Sequence, residues 1–125
     1  MFRAVSTSGA PPEEQAYSHA TVANGFVFTA GQIPVTPDGT PVEGSVAEQT
    51  RQVMENLGAI LAEAGTGFEH VVRTTAYFRD VDDFPAMDEV YAEYFEGPPP
   101  ARDVVEVRDL PEGAALELVM VATEG

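Results

Sequence analysis

The chain has 125 residues, of which 44% are hydrophobic and 22% are charged, and this balance fits one globular domain spanning residues 1–125. It contains no cysteine, which excludes disulfides, thiolate metal sites and cysteine nucleophiles. It also contains no lysine to form a Schiff base, and its only two histidines, His19 and His70, lie far apart. We therefore expect no metal site.

The formal net charge of -15 bears on which partners the chain can bind. Nucleic acids and anionic membranes attract basic surfaces, and the six arginines form no basic stripe along the sequence. The N-terminal residues lack the long apolar core of a signal peptide, and no segment approaches a membrane span. We therefore expect no nucleic-acid partner, no membrane partner and a cytoplasmic location.

The chain opens with an irregular segment and a hairpin. Residues 1–15 contain prolines and small polar residues, and we expect this segment to be irregular. Strands are predicted over 20–23 and 26–30, because Asn24-Gly25 between them accepts the positive φ angles of a type I′ turn. A loop with Pro-Asp-Gly turn chemistry follows over 36–44.

A long helix is predicted to begin after Ser45, because Ser45 and Glu48 have the spacing of a capping box. Apolar residues recur at helical spacing over 46–64, and Gly65 suits the end of the helix. The single apolar stripe indicates that this helix covers one side of a sheet. A strand is predicted over 71–79. Its apolar face is expected to comprise Val72, Thr74, Ala76 and Phe78.

A second helix is predicted to begin near Asp82 and Asp83, whose carboxylates favour a helix N-terminus, and to end at Gly97. Strands over 102–108 and 115–122 follow, which gives the order β-β-α-β-α-β-β. This order predicts an α+β fold of two helices packed on one face of a mixed sheet. Because apolar strand residues occur on both faces, we expect the uncovered face to form the interface of a homo-oligomer.

Arg102 is the first candidate for a functional residue. It follows three prolines and opens an apolar strand in an acidic chain. An arginine fork can bind a carboxylate through two parallel hydrogen bonds, so Arg102 could anchor an anionic ligand. The alternative is a structural ion pair with a neighbouring aspartate or glutamate. Its place in the sequence is compatible with both.

Glu117 and Tyr17 are further candidates. Glu117 lies between two leucines in the last strand, either as a solvent-facing residue or as a functional acid whose pKa is raised by burial. Tyr17 precedes the first strand of the hairpin, where it either packs or donates a hydrogen bond. The pattern alone leaves both alternatives open for each residue.

Several segments resemble the RidA (YjgF-type) family. The resemblance rests chiefly on Gly-Gln-Ile-Pro at 31–34 and on Pro-Ala-Arg at 100–102, which continues to Val-Glu-Val at 105–107. Leu-Pro at 110–111 extends it, and the matching segments span residues 16–123 without large gaps. These motifs at this separation identify the chain as similar to that family.

The resemblance implies a chorismate-mutase-like α+β fold that assembles as a homotrimer with sites in clefts between subunits. It implies an enzyme that hydrolyses reactive 2-imino acids, in equilibrium with enamines, to 2-keto acids and ammonia without a cofactor. By match to the family motifs, Arg102 would bind the substrate carboxylate, and Glu117 would activate water and transfer protons. Tyr17 would help close the pocket, and Gly31 and the backbone near Val104 would line it.

Some positions depart from the family pattern. Ala30 stands where a serine is typical and Asp88 where an asparagine is usual, and both are expected to line the substrate pocket. Asp103 follows Arg102 in place of a serine and could compete for its guanidinium. His19 replaces a common glutamine. These differences favour a change of substrate more than a change of chemistry.

Three functions are compatible with these observations. The leading hypothesis is an enamine/imine deaminase acting on a carboxylate-bearing substrate. The second is a RidA-like enzyme acting on an imine or enamine intermediate of a specialised biosynthetic pathway. The third is a non-catalytic trimeric protein that binds small ligands or acts as a chaperone. The nucleic-acid-cleaving role attached to some relatives fits poorly with so few cations.

Overall fold

One sheet of six strands and two helices form the fold in the computed structural model, which describes all 125 residues. The helices are α1 (Val46–Glu63) and α2 (Phe84–Ala92). The strands are β1 (Arg3–Val5), β2 (Ala20–Ala23), β3 (Phe26–Thr29), β4 (Val71–Phe78), β5 (Ala101–Glu106) and β6 (Leu116–Thr123). They lie in the order β1-β2-β3-β6-β4-β5, with β4 and β5 parallel and all other neighbours antiparallel. The predicted α+β fold is confirmed.

The first strand corrects the prediction that residues 1–15 are irregular. Arg3–Val5 pairs antiparallel with β2, and Val5 is buried in the core. The residues between β1 and β2 do follow an irregular path. The error arises because a strand of three residues has too few positions to show an alternating pattern, and its hydrogen bonds go to residues far along the chain.

The hairpin of β2 and β3 forms as predicted. Asn24 and Gly25 have φ angles of 51° and 81°, as a type I′ turn requires. The second strand ends at Thr29, one residue earlier than expected, and the backbone N–H of Ala30 donates to the carbonyl of His19 at 2.8 Å. This bond holds the segment after β3 against the residues that precede β2.

The first helix begins and ends where its capping residues predict. The Ser45 hydroxyl accepts a hydrogen bond from the Glu48 backbone N–H at 3.1 Å. After the helix, Gly65 has a φ of 88°, and its N–H donates to the Ala62 carbonyl at 3.0 Å. The apolar stripe is buried against the sheet through Val53, Met54, Leu57, Ile60 and Leu61.

A β-bulge changes which residues of β4 face the core. The pairing of β4 with β6 shifts between Val71 and Arg73, so that Val71 is buried and Val72 is 45% exposed. The expectation that Val72 lies on the apolar face was therefore wrong. Thr74, Ala76 and Phe78 are buried as expected.

The second helix is shorter than predicted. A 3₁₀ turn over Val81–Asp83 precedes it, and it ends at Ala92 rather than near Gly97. The N–H groups of Tyr94 and Phe95 donate to carbonyls three residues earlier, which tightens the last turn. The rings of Tyr94 and Phe95 then pack edge-on against Phe68.

The face of the sheet opposite the helices exposes apolar side chains. Along β6, buried residues alternate with half-buried ones, and the buried set packs into the core. On the other face Phe26 is 42% exposed, Phe28 45% and Val105 39%. An uncovered apolar face of this kind is what the strand pattern predicted.

Candidate active site

Glu117, Tyr17 and Gly31 line one cavity of about 370 Å³. Glu117 lies in β6 between Leu116 and Leu118, which are buried on the helix side of the sheet. Its own side chain therefore points to the open face of the sheet, opposite the helices. It is half-buried, and this burial raises the pKa of its carboxyl group above the ordinary value of 4.5. The group can therefore exchange a proton closer to neutral pH than a surface glutamate does.

Gly31 holds the backbone directly against the Glu117 carboxyl group. The segment after β3 runs beside β6, where Gln32 and Leu118 exchange backbone hydrogen bonds of 2.9 and 3.1 Å. A methyl group added at Gly31 would lie 2.9 Å from Cδ of Glu117 and overlap its Oε2. Glycine thus lets the backbone approach the carboxyl group closely, and any larger residue here would force the Glu117 side chain to move.

His19 fixes the loop that forms another wall of this cavity. The buried imidazole accepts a hydrogen bond from the Thr7 N–H through Nδ1 at 3.1 Å, so its proton lies on Nε2 and is donated to the Pro11 carbonyl at 2.6 Å. Pro11, Pro12 and Gln15 line the cavity next to Tyr17. His19, noted in the sequence only as a departure from the family pattern, therefore supports the pocket from behind.

Arg102 and Asp88 line a second cavity, of about 450 Å³. The Arg102 guanidinium lies over two aromatic rings of α2, 4.8 Å from the centroid of Phe84 and 5.0 Å from that of Tyr91. The Tyr91 hydroxyl donates to the buried Thr74 hydroxyl at 2.9 Å, which fixes the ring. The cation is thus held in place by packing as well as by charge.

Arg102 is already paired within its own chain. Its Nη1 donates to Oδ1 of Asp88 at 2.7 Å. Of the two alternatives posed for Arg102, the structural ion pair is present. This one contact leaves the other N–H groups of the guanidinium without a hydrogen-bond partner, so the role of ligand anchor stays a prediction. Asp103 does not compete for Arg102, since it pairs with Arg73.

The two aromatic rings under the Arg102 guanidinium, those of Phe84 and Tyr91, were not predicted as part of a site. Neither Phe84 nor Tyr91 was among the candidate site residues. With Asp88 they follow the spacing i, i+4, i+7, which places two aromatic rings and a carboxylate on one helix face. This combination of two aromatic rings and a carboxylate on one helix face is the sequence feature from which the contact with a cation could have been predicted.

Two other predicted pocket residues lie beside these cavities rather than in their walls. Ala30 directly precedes Gly31, and Val104 follows Arg102 on the same side of β5 with 36% exposure. Neither lines the two cavities described above. Their expected contact with substrate stays a prediction.

The chain does not bring Arg102 and Glu117 together. Arg102 pairs with Thr74 of β4, and Glu117 pairs with Tyr77 of the same strand. Thr74 is buried on the helix side, and Tyr77, three residues further along, faces the other way. The two side chains therefore lie on opposite faces of the sheet, and one copy of the chain does not form the single pocket that the family resemblance implies.

No group of three or more histidine, aspartate or glutamate side chains is arranged to hold a metal ion. Neither helix combines the length and the apolarity needed to cross a membrane.

Comparison with known proteins matches nearly the whole chain. A family model described as endoribonuclease L-PSP matches residues 7–124. A RutC family protein of Synechocystis sp. is 45% identical over 97% of this chain and 95% of its own. The 2-iminobutanoate/2-iminopropanoate deaminase of Rattus norvegicus is 40% identical over 98% of this chain and 90% of its own. The crystal structure of yeast Mmf1 superposes with a TM-score of 0.97 at 40% identity, covering both chains completely. Together with the motifs and the fold, these matches show that the chain belongs to the RidA (YjgF-type) family.

Proposed function

We propose that the chain hydrolyses reactive 2-imino acids, and the enamines in equilibrium with them, to 2-keto acids and ammonia. The observation that carries this proposal is the half-buried carboxyl group of Glu117, whose pKa is raised by burial and which lies in a cavity against the Gly31 backbone. The 40% identity to a rat protein named as an imine deaminase supports the same chemistry.

Glu117 can serve as base and then as acid in this reaction. As its carboxylate, it takes a proton from water while the water oxygen bonds to the imine carbon. It then returns that proton to the imine nitrogen, which gives a carbinolamine. Glu117 next takes the proton of the carbinolamine hydroxyl group and passes it to the amino nitrogen, so that the C=O bond forms, the C–N bond breaks and ammonia leaves. A single carboxyl group with a pKa closer to neutrality suits both steps. Imine hydrolysis is intrinsically easy, so orientation and proton transfer suffice.

Arg102 supplies the orientation in this proposal. The substrate carboxylate binds the part of the guanidinium fork that Asp88 leaves open. Phe84 and Tyr91 keep the guanidinium from following the ligand, because they pack against it from the helix side. Bidentate binding then fixes the plane of the adjacent imine.

The proposal requires a second copy of the chain. Arg102 and Glu117 lie on opposite faces of one sheet, so a complete site needs the Arg102 half of one copy and the Glu117 half of another. We infer a homotrimer with sites in the clefts between subunits. The open face of the sheet exposes apolar side chains, those of Phe26, Phe28 and Val105. An exposed apolar face of this kind supports the proposal that the face is buried in such an assembly.

RNA cleavage, which the description of the family model names, has less support in this chain. A polyanion would have to approach a surface of net charge -15 that carries no lysine. We therefore infer a small carboxylate-bearing molecule as the substrate.

The proposal is tested by following release of ammonia and pyruvate from 2-aminoacrylate generated in situ. Glu117→Gln should lower the rate by about 10²- to 10⁴-fold, because proton transfer is lost. Arg102→Ala should lower kcat/KM by about 10²-fold, mainly through KM, because the carboxylate loses its anchor.

Arg3→Ala is the matched control. Arg3 lies in β1 at the opposite edge of the sheet from β5, and its only ion pair, with Glu124 at 4.0 Å, is exposed. This variant should retain the wild-type rate. Wild type and both site variants releasing ammonia at the uncatalysed rate would refute deamination of this substrate.

A further inference from the structure

An acidic residue, Asp88, lies beside the Arg102 guanidinium in the cavity that both residues line. Asp88 is on α2, one helical turn from both Phe84 and Tyr91, and its side chain is 46% exposed. It contacts Arg102 through one oxygen only, Oδ1, and the Asp88 carboxylate forms no other hydrogen bond. The second oxygen, Oδ2, is therefore available to a ligand.

The remaining N–H groups of Arg102 also reach solvent. The side chain is 22% exposed, and no buried side-chain nitrogen or oxygen in the chain lacks a hydrogen-bond partner. Nε and Nη2 are thus open to the cavity that both residues line. A ligand carboxylate bound there sits within the width of one guanidinium from the Asp88 carboxylate.

Two carboxylates on one guanidinium repel each other. Arg102 neutralises one negative charge, and Asp88 already supplies it. No second cation in this half of the site relieves the repulsion, because only Asp88 and Arg102 carry charge among the residues of the chain that line this cavity. A ligand that brings its own N–H group beside its carboxylate removes the conflict, since that N–H can donate to Oδ2 of Asp88.

We propose that Asp88 is a specificity residue that selects ligands with an N–H group next to the carboxylate and rejects matched 2-keto acids. The inference rests on the proposed deaminase function, and it assigns the preferred ligand class of the same site. A 2-imino acid or its enamine presents an N–H donor to Asp88, whereas the 2-keto acid presents a carbonyl oxygen that can only accept. The pair Arg102–Asp88 thereby favours substrate over product.

Binding of L-alanine and pyruvate tests this without requiring turnover. The two ligands share a carboxylate and a methyl group; L-alanine carries an ammonium group, a charged N–H donor, where pyruvate carries a carbonyl oxygen. Their dissociation constants are measured by ligand-observed NMR titration against wild type, Asp88→Asn and Glu89→Gln. Glu89 is the matched control, because it is the next residue of α2, is exposed and contacts no cation.

Wild type and Glu89→Gln should bind L-alanine more tightly than pyruvate. Asp88→Asn should shift the ratio of the two dissociation constants toward pyruvate by at least about tenfold, the size expected for one charge-assisted hydrogen bond. Thermal melting shows that each variant is folded.

Three results would overturn the inference: an equal gain in affinity for both ligands in Asp88→Asn, an unchanged ratio, or no binding of either ligand by wild type. An equal gain would show that Asp88 acts only as a competing anion. The deaminase assay is separate. A shifted ratio without ammonia release would refute the proposed reaction and retain the ligand preference.

Discussion

The environment of single carboxylates decides their chemistry in this chain. Glu117 and Asp88 are both acidic residues in cavities, yet they face different neighbours. Glu117 has no cation within ion-pairing distance, and burial raises its pKa. The Asp88 carboxylate accepts a hydrogen bond from the Arg102 guanidinium and forms an ion pair with it. The first arrangement suits proton transfer, and the second suits recognition of charge.

The raised pKa of Glu117 implies a measurable effect on stability. The neutral carboxyl group is favoured in the fold, so its stabilising contribution is present below the ordinary pKa of 4.5 and is lost as pH rises through the folded value. Glu117→Gln should therefore melt at a higher temperature than wild type near pH 7. The two melting curves should converge below about pH 4.5. A Glu117→Gln variant that melts lower than wild type at neutral pH would contradict this account.

At the scale of elements, a buried histidine joins an irregular loop to the sheet. His19 directly precedes β2, and its ring spans from the Thr7 N–H to the Pro11 carbonyl. The Glu13 carboxylate accepts from the Ser6 hydroxyl at 2.5 Å and from the His19 backbone N–H at 3.0 Å. The hydrogen bond from Ser6 is the main cause that lowers the pKa of Glu13. These contacts shape one wall of the Glu117 cavity without any regular secondary structure.

Removing that ring should loosen the loop. His19→Ala leaves the Thr7 N–H and the Pro11 carbonyl without their partner, and we expect a loss of about 1–3 kcal/mol in the free energy of unfolding. Urea denaturation measures the loss, and amide hydrogen exchange at Thr7 should accelerate. His70→Ala is the control, because the His70 side chain is 39% exposed, forms no side-chain hydrogen bond and has Glu69, at 3.8 Å, as its one ion-pair partner. Equal effects of the two substitutions would show that the His19 contacts do not hold the loop.

At the scale of the whole molecule, the sheet separates the two halves of the proposed site. The helices cover one face, with Arg102 at its edge, and Glu117 projects from the other. Assembly would therefore serve function as well as burial, because it is what joins the guanidinium of one copy to the carboxyl group of the next. Three copies of a chain with net charge -15 would repel one another at long range, so apolar contact must hold them.

A charge placed on the open face should separate the copies and abolish activity together. Phe28→Asp puts a carboxylate at the centre of that face, where Phe28 pairs with Val121 of β6 and contacts Phe26. Sedimentation should show monomers at concentrations where wild type forms the proposed trimer, and ammonia release should fall to the uncatalysed rate. Val81→Asp, at an exposed valine outside the sheet, should keep both properties. A monomeric Phe28→Asp variant with full activity would refute the shared site.

Local features of the fold could be predicted from the sequence. The Asn24-Gly25 turn and the Ser45 cap depend on residues a few positions apart, so composition and spacing determine them. The same holds for the helix stripes and the motifs that single out Arg102 and Glu117. Strand pairing between distant segments could not be predicted from the sequence. Only the folded sheet shows that β1 pairs with β2 and that the register between β4 and β6 shifts at Val72.

The tertiary structure also decided how the site residues relate to one another. The sequence marks Arg102, Asp88 and Glu117 as candidates, but no spacing between them shows that the first two form an ion pair. Nor does it show that the third projects from the opposite face. Which side of a sheet a residue faces depends on strand register, and register is set by hydrogen bonds between segments far apart in the chain.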